Sequence, residues 1–282
     1  MPAYPTPEDS VRALASASRY SQWRSRDRGD RVSPGPLHRD SARSIVARRT
    51  PAKPAGAWLS NQDSAELLAA YGIELWPRLE VREADDAAAA AERIGYPVAI
   101  KATAESLRHR ADLGAVRLDV ADEDQLRRAL AELQQRLGPL GAESFAVQAM
   151  ATPGIGCVLR TTEDPLFGPV VEFGVGGPPT ELLGDVSRRF PPLREGDVSD
   201  LVRSVRAAPL LFGHRGAEPV DVDALEDLIG RLAVLADDLP QVAFLELNPV
   251  LVATRGLAVL DAGIRLAEPS GRTDSGLRRL ST

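Results

Sequence analysis

Three sets of residues in this chain have the types and spacing to handle a phosphate. Lys101 sits near the end of the apolar run YPVAIKAT, residues 96–103, so its ammonium emerges at a strand edge, where α/β proteins bind ligands. Just beyond it, SLRHRADLGAVRL, residues 106–118, sets His109, Asp112, Gly114 and three arginines between apolar stretches. A plain solvent loop satisfies its backbone with less charge. A lysine on one strand and a glycine-containing turn before the next can enclose phosphates from two sides. The third set is Asn248 of ELNPV and Asp261 of VLDAGI, thirteen positions apart, each at an end of a strand. One amide and one carboxylate on adjacent strands supply the few oxygens that Mg2+ takes alongside phosphate oxygens.

Taken singly, each set has a structural alternative. A strand-end lysine can simply snorkel to solvent, and an Asn before proline with a strand-end Asp is common turn chemistry. Gly168, Gly174, Gly176 and Gly177 follow or punctuate a further apolar strand. They do not make a dinucleotide fingerprint, because Pro178 and Pro179 follow where a helix would have to start. Close approach of backbone to a ligand and an irregular turn are both open there.

Rigid elements must carry these residues, and the apolar periodicity between about 57 and 267 is that of a compact α/β protein. LSNQDSAELLAAYGI reads as a helix capped by Ser60 or Asn61 and stopped at Gly72. EADDAAAAAERIG is a second helix, and EDQLRRALAELQQRLG is amphipathic, with Leu126, Leu130, Leu133 and Leu137 along one face. SFAVQAMA, GCVLRTT and GPVVEFGV read as strands, EGDVSDLVRSVRAA and VDALEDLIGRLAVLADDL as helices. VAFLELNPVLVA and GLAVLDAGI read as a pair of strands. Before this region, residues 1–56 hold one helix, PEDSVRALASASRYSQWRS, and a basic tract rich in Arg, Ser and Pro. That tract lacks core periodicity and is expected to be a mobile linker or to drape over a partner. Residues 268–282 are polar and expected to be disordered.

Composition bounds the function. The chain has 282 residues, 44% of them hydrophobic, enough for one domain of two lobes. A net charge of −6 argues against nucleic acid or an anionic membrane as partner. No apolar run approaches the roughly 18 residues that span a bilayer. The N-terminus lacks a signal layout, so the expected compartment is the cytoplasm. The single cysteine, Cys157, excludes an internal disulfide and a Cys-based zinc site, and His38, His109 and His214 are too dispersed for a histidine metal cluster.

The stretches SAELLAAYGIELWPRLEV, GYPVAIKATAESLRHRADLGAVRLDV, VQAMATPG, EDPLFGPVVEFGVGG, APLLFGHRG and LELNPVLV with LAVLDAGIRL occur in an order that carries a resemblance. Together they resemble the ATP-grasp domain of the NDP-forming acyl-CoA synthetases (acetate–CoA ligases, ADP-forming), related to succinyl-CoA synthetase. The resemblance covers nearly all of residues 57–267. It implies an α/β (α+β) ATP-grasp fold, with a small lobe at about 77–147, a large lobe of 57–76 plus 148–267, and ATP or ADP with Mg2+ between them. YPTPEDSVRALASASRYSQWR is similar to the end of the family's CoA-binding region and its linker, which implies a CoA-binding partner subunit or domain.

The resemblance also implies roles. Lys101 would meet nucleotide phosphate, with Arg110 and Gly114 of the following loop beside it. His109 would carry a phosphoryl group, oriented by Asp112 and steadied by Glu181. Backbone amides of Gln148, Ala149 and Met150 would read adenine, and Asn248 and Asp261 would hold magnesium. The implied partnered reaction is acyl-CoA + ADP + phosphate = acid + CoA + ATP. Several positions depart from the family: Gly156 stands for a usual glutamate, Ala115 for a second glycine, Ala149 for the acid of the VQEM motif, and Phe244 for an acid. These departures define the alternative, a degenerate ATP-grasp module that senses nucleotide or docks a protein without catalysis.

The expected outcome for His109 is direct. Incubation with labelled ATP and Mg2+ should leave acid-labile label on the wild-type chain and none on the His109→Ala variant. Label that persists in the variant removes the carrier role.

Overall fold

The computed structural model describes residues 4–50, 56–103, 113–177 and 182–269. In chain order the elements are α1 (Pro7–Ser25), α2 (Arg39–Arg49), β1 (Ala57–Trp58), α3 (Asn61–Ala69), β2 (Arg78–Val81), α4 (Ala84–Ile94), β3 (Val98–Ala102) and β4 (Val116–Val120). They continue with α5 (Glu123–Leu137), β5 (Phe145–Ala149), β6 (Ile155–Asp164), β7 (Gly168–Val175), β8 (Val186–Arg189), α6 (Glu195–Arg203), α7 (Val222–Asp238), β9 (Val242–Val252), β10 (Leu257–Val259) and β11 (Ala262–Leu266).

The strands form two antiparallel sheets. The smaller has the order β2-β5-β3-β4. Its alternation sends Leu79, Val81, Val98, Ile100, Phe145 and Val147 to one face, against the four buried leucines of α5 and the alanines of α4. The register pairs Arg78 and Ala99 with Gln148, and Glu80 and Lys101 with Ala146. Opposed residues share a face, so the second face of this sheet carries Arg78, Glu80, Lys101 and Gln148 among small alanines. Among the described residues, α4 and α5 pack on the opposite, apolar face. The polar face turns toward the larger sheet.

The larger sheet runs β1-β11-β9-β6-β7-β8, with β10 added to β9. Helix α7 packs on β6 and β7, and α6 packs on β7, β8 and α7. Eight residues of α7 are buried, among them Leu225, Leu228, Ile229, Leu232 and Leu235, which explains its length and its apolar stripe. Among the described residues, no helix is long and apolar enough to cross a membrane.

The basic N-terminal tract differs from its expectation. Residues 26–49 lie along the large lobe. Ala42, Ile45 and Val46 of α2 are buried in the main core, and Val32 and Leu37 pack against it. Five arginines meet acids outside the tract: Arg26 with Asp200 at 2.8 Å, Arg28 with Asp197 at 3.3 Å, Arg31 with Asp237 at 3.0 Å, Arg39 with Asp238 at 2.6 Å and Arg49 with Asp63 at 3.1 Å. Exposed ion pairs contribute about 0–1 kcal/mol each, so the buried aliphatic residues hold the tract down and the charges set its register. Charge complementarity with distant acids leaves no periodic signal, which is why the sequence reads as a linker. α1, by contrast, has no buried residue. Residues 270–282 of the expected tail lie outside the described residues.

Gly230 on α7 makes room for this tract, since a Cβ there would stand 2.6 Å from Val32 Cγ1. The Gly230→Ala variant should lose about 1–3 kcal/mol of stability through this clash. Hydrogen exchange should accelerate at the Val32 amide, which donates to Leu193 O at 3.0 Å, while amides of α5 keep their protection.

Candidate functional site

The candidate site forms where the polar face of the small sheet meets the β9–β10–β11 edge of the large one. The alternation of β3 buries Ile100 against α5 and turns Lys101 the other way. Its side chain is 11% exposed, and Nζ donates to Leu260 O at 3.1 Å and Asp261 Oδ2 at 3.3 Å. Arg78, first residue of β2, donates from Nη1 to Asp261 Oδ1 at 2.9 Å. One carboxylate of the large lobe thus holds two cations of the small lobe, one on each oxygen. Gln148 Nε2 donates to Leu260 O at 3.1 Å and Trp76 O at 3.3 Å, and the Trp76 indole N–H donates to Ala149 O at 2.9 Å.

Desolvation at this junction raises the Asp261 carboxyl, but Lys101 and Arg78 outweigh it and hold the group below the ordinary value. Desolvation also depresses the Lys101 ammonium, and Asp261 opposes that shift without cancelling it. Burial and pairing oppose each other on both partners: pairing prevails at Asp261 and burial at Lys101.

Asn248 lies opposite Asp261. Its backbone N–H donates to Asp261 O at 3.1 Å, one step beyond the Leu247–Ala262 pair of the β9–β11 ladder. Opposed residues of an antiparallel pair point to one face, and the fully buried Leu247 points to the other. The Asn248 Nδ2 donates to Glu246 Oε1 at 3.1 Å. Among the described residues there is no cluster of three or more His, Cys, Asp or Glu that could hold a metal. An all-protein cage is therefore not what Asn248 and Asp261 offer. One amide oxygen and one carboxylate fit Mg2+, which keeps waters and takes its other ligands from a nucleotide's phosphates.

The remaining sequence-derived residues divide. His109, Arg110, Asp112 and Glu181 lie outside the described residues. Gly114 has a φ of +55° at the exit of the loop, and its carbonyl accepts from Arg117 at 3.1 Å and Arg136 at 2.6 Å. The expected adenine contact through Gln148 and Ala149 amides needs correction. Gln148 is paired on both sides within the sheet, and Ala149 N donates to Pro77 O at 3.1 Å. Their backbones are committed to the lobe junction, and of this trio Met150, just past the end of β5, is where an adenine contact can still fall.

Two departures from the family pattern have a structural basis. Phe244 packs edge-on against Trp58, ring centroids 5.8 Å apart. At Gly156 a Cβ would meet only Leu251 Cδ2, at 4.0 Å, so the position stays open beside the sheet. Arg78 and Glu246 were not singled out in the sequence. The signal for Glu246 was its i, i+2 spacing from Asn248 on one strand; Arg78 had none, because its partner is 183 positions away.

Comparison with known proteins identifies the family and the fold. A family model described as ATP-grasp domain matches residues 52–266. The chain is 34% identical over 272 residues to acetate–CoA ligase [ADP-forming] I of Archaeoglobus fulgidus, covering 95% of this chain and 39% of that protein. It is 34% identical to the beta subunit of acetate–CoA ligase [ADP-forming] II of Pyrococcus furiosus, over 72% of this chain and 89% of the subunit. A structure of the dinucleotide-forming acetyl-coenzyme A synthetase 1 of Ca. Korarchaeum cryptofilum, in complex with coenzyme A and Ca-AMPCP, superposes with a TM-score of 0.69 at 32% identity, covering 74% of this chain and 93% of that one. Another structure of that enzyme holds Mg-AMPPCP, with a phosphohistidine segment pointing towards the nucleotide site; its TM-score is 0.65 at 30% identity, covering 81% and 99% of the two chains.

The lowered Asp261 carboxyl gives a pH dependence with a definite sign. A group whose folded value is depressed stabilises above its unfolded value and loses that contribution as pH falls through the folded one. The stability difference between wild type and Asp261→Asn should be constant at neutral pH and shrink only below the ordinary value of 3.8. Thermal unfolding of both proteins across that range checks it.

Proposed function

The chain belongs to the ATP-grasp domain family, and from that premise we propose that it is the nucleotide-handling part of an NDP-forming acyl-CoA synthetase. It would bind ATP or ADP with Mg2+ between its lobes. With a CoA-binding partner subunit or domain it would serve acyl-CoA + ADP + phosphate = acid + CoA + ATP, in the cytoplasm. The observation that carries this reading is the junction itself: Lys101 and Arg78 of one lobe converge on Asp261 of the other, directly opposite Asn248. Paired cations and paired oxygens at a lobe boundary suit a phosphate chain that arrives with its own metal.

Each residue then has a task. Lys101 binds and orients nucleotide phosphate, exchanging Asp261 for a phosphate oxygen of greater charge. Asn248 and Asp261 would hold magnesium, which neutralises charge on the phosphates. His109 accepts the phosphoryl group, with Asp112 keeping one ring nitrogen protonated and Glu181 steadying the ring. Arg110 and Gly114 shape the loop around the phosphate, and Met150 supplies the adenine contact. Positioning and charge neutralisation carry most of phosphoryl transfer, which requires few reacting groups from the protein.

The second reading is a degenerate ATP-grasp module that senses nucleotide or docks a protein. The open position at Gly156 favours it, because the family's acid is missing beside the nucleotide cleft.

Calorimetric titration tests the first reading, and acid-labile label on His109 separates it from a module that only senses nucleotide. Wild type should bind Mg-ADP, and Lys101→Ala should bind about tenfold or more weakly, the order of one charge-assisted hydrogen bond. Wild type that takes up no nucleotide near millimolar concentration overturns the enzymatic reading.

A further inference from the structure

The lobe junction sets two desolvated cations against one carboxylate. Arg78 and Lys101 are each 11% exposed, and the Asp261 they share is the more open partner at 44%. One cation is enough to bridge two lobes through an acid. A second one, held at low dielectric with no acid of its own, is costly and adds little to the bridge. Glu80, the other acid on this face of the small sheet, does not balance it. Its carboxylate accepts from Asn61 Nδ2 at 2.7 Å and Thr103 Oγ1 at 3.4 Å, and it forms no ion pair with Arg78 or Lys101. The two cations also work against each other. Burial is the main cause of the depressed Lys101 ammonium, and the Arg78 charge adds to it.

Arg78 is underused as a donor. A guanidinium has five N–H groups, and among the described residues Nη1 makes the one hydrogen bond of Arg78, to Asp261 Oδ1 at 2.9 Å. Lys101 reaches Leu260 O as well as Asp261. Two adjacent cations with unused donors form a receptor for an anion of more than one charge, and a guanidinium fork suits phosphate in particular. The same two cations set a condition on a metal. Two positive charges on one carboxylate leave the junction net positive, which opposes a bare divalent cation at Asp261. A nucleotide phosphate that takes both cations leaves the Asp261 oxygens unpaired beside added negative charge.

We propose that Arg78 is a second phosphate-binding residue, and that it makes metal binding at Asp261 conditional on the nucleotide. Without phosphate, Arg78 occupies Asp261 Oδ1. A nucleotide phosphate draws Arg78 and Lys101 to its own oxygens and frees the carboxylate for a divalent cation. This rests on the reading of the cleft as a nucleotide site and of Asp261 as a magnesium ligand. Each contact that is lost is replaced: the cations exchange a carboxylate for phosphate oxygens of greater charge, and the carboxylate exchanges two side-chain cations for a metal. The two ligands are therefore coupled through Arg78, and such coupling is reciprocal. Arg78 begins β2 and Lys101 lies in β3, so the phosphate would be held from two strands that flank β5.

The test uses the full chain and two separate titrations. One follows ADP by calorimetry with all metal chelated, and the other follows Mn2+ without nucleotide, free Mn2+ being read by electron paramagnetic resonance. Arg78→Gln should weaken metal-free ADP binding about tenfold, the order of one charge-assisted hydrogen bond. It should tighten nucleotide-free Mn2+ binding about fivefold, the low end of ordinary coupling between sites. Opposite signs distinguish the proposal from a structural role, since a loosened fold would weaken both. In an Asp261→Asn background Arg78→Gln should no longer affect Mn2+, because the gain acts through that carboxylate. Arg78→Lys keeps the charge without the fork, and serves if Arg78→Gln folds poorly by circular dichroism. It should weaken ADP binding severalfold and leave Mn2+ binding at the wild-type level. Wild-type ADP affinity in whichever variant folds overturns the proposal, as does a loss of Mn2+ affinity in Arg78→Gln or no change there. Failure of wild type to bind ADP at all strikes the nucleotide reading, and the role of Arg78 with it.

Discussion

The carboxylate of Asp261 is the point on which the two lobes depend. It sits on the large lobe between β10 and β11, and both of its oxygens are taken by cations from the small sheet. The partners are unequal in what they would lose. Asp261 keeps partial access to water, with 44% of its side chain exposed, whereas Arg78 and Lys101 are at 11%. Removing the carboxylate would strand two desolvated cations side by side, which is worse than losing one surface pair. Around it, the Leu260 carbonyl draws Lys101 and Gln148 to the same short stretch. Three adjacent strands of the small sheet are thereby referred to two residues of the large one.

This arrangement explains why the small sheet has one apolar and one polar face. Its core of leucines and alanines is complete on the α4–α5 side, so nothing on the other side needs to be hydrophobic. Small residues at 99 and 146 keep that face shallow, and the longer Arg78, Lys101 and Gln148 reach across it. The lobes meet through hydrogen bonds and charges rather than through a shared core, and the two apolar clusters remain separate. A junction of this type can be exchanged contact for contact by a ligand that brings its own charges, without unpacking either core.

Much of this was legible in the sequence, for reasons that can be stated. The leucine spacing of α5 and the alternation of β3 survive as helix and strand because local period and tertiary burial agree. The order of motifs pointed to the ATP-grasp fold, and the family match and superpositions agree with it. Lys101, Asn248 and Asp261 drew notice by residue type, and the fold gathers them at one junction. What stayed hidden was whatever depends on a distant partner. Arg78 looks like any strand-edge arginine until Asp261 is placed beside it. The inward turn of Gln148 depends on the Leu260 carbonyl, which no sequence pattern marks. The docking of residues 26–49 depends on acids scattered from Asp63 to Asp238 and on the bare surface of Gly230.

The indole of Trp76 spans the same boundary, with its N–H on the Ala149 carbonyl and its backbone N–H on Val259 O at 2.8 Å. The other two tryptophans are tied elsewhere: Trp23 lies in the last turn of α1 beneath the Arg28 guanidinium, and Trp58 packs edge-on against Phe244 at the β1 edge of the large sheet. The chain therefore contains its own optical gauge. A change in the angle between the lobes alters the polarity around one chromophore of three, so the emission colour of the unlabelled protein carries a signal of lobe movement against two steady backgrounds.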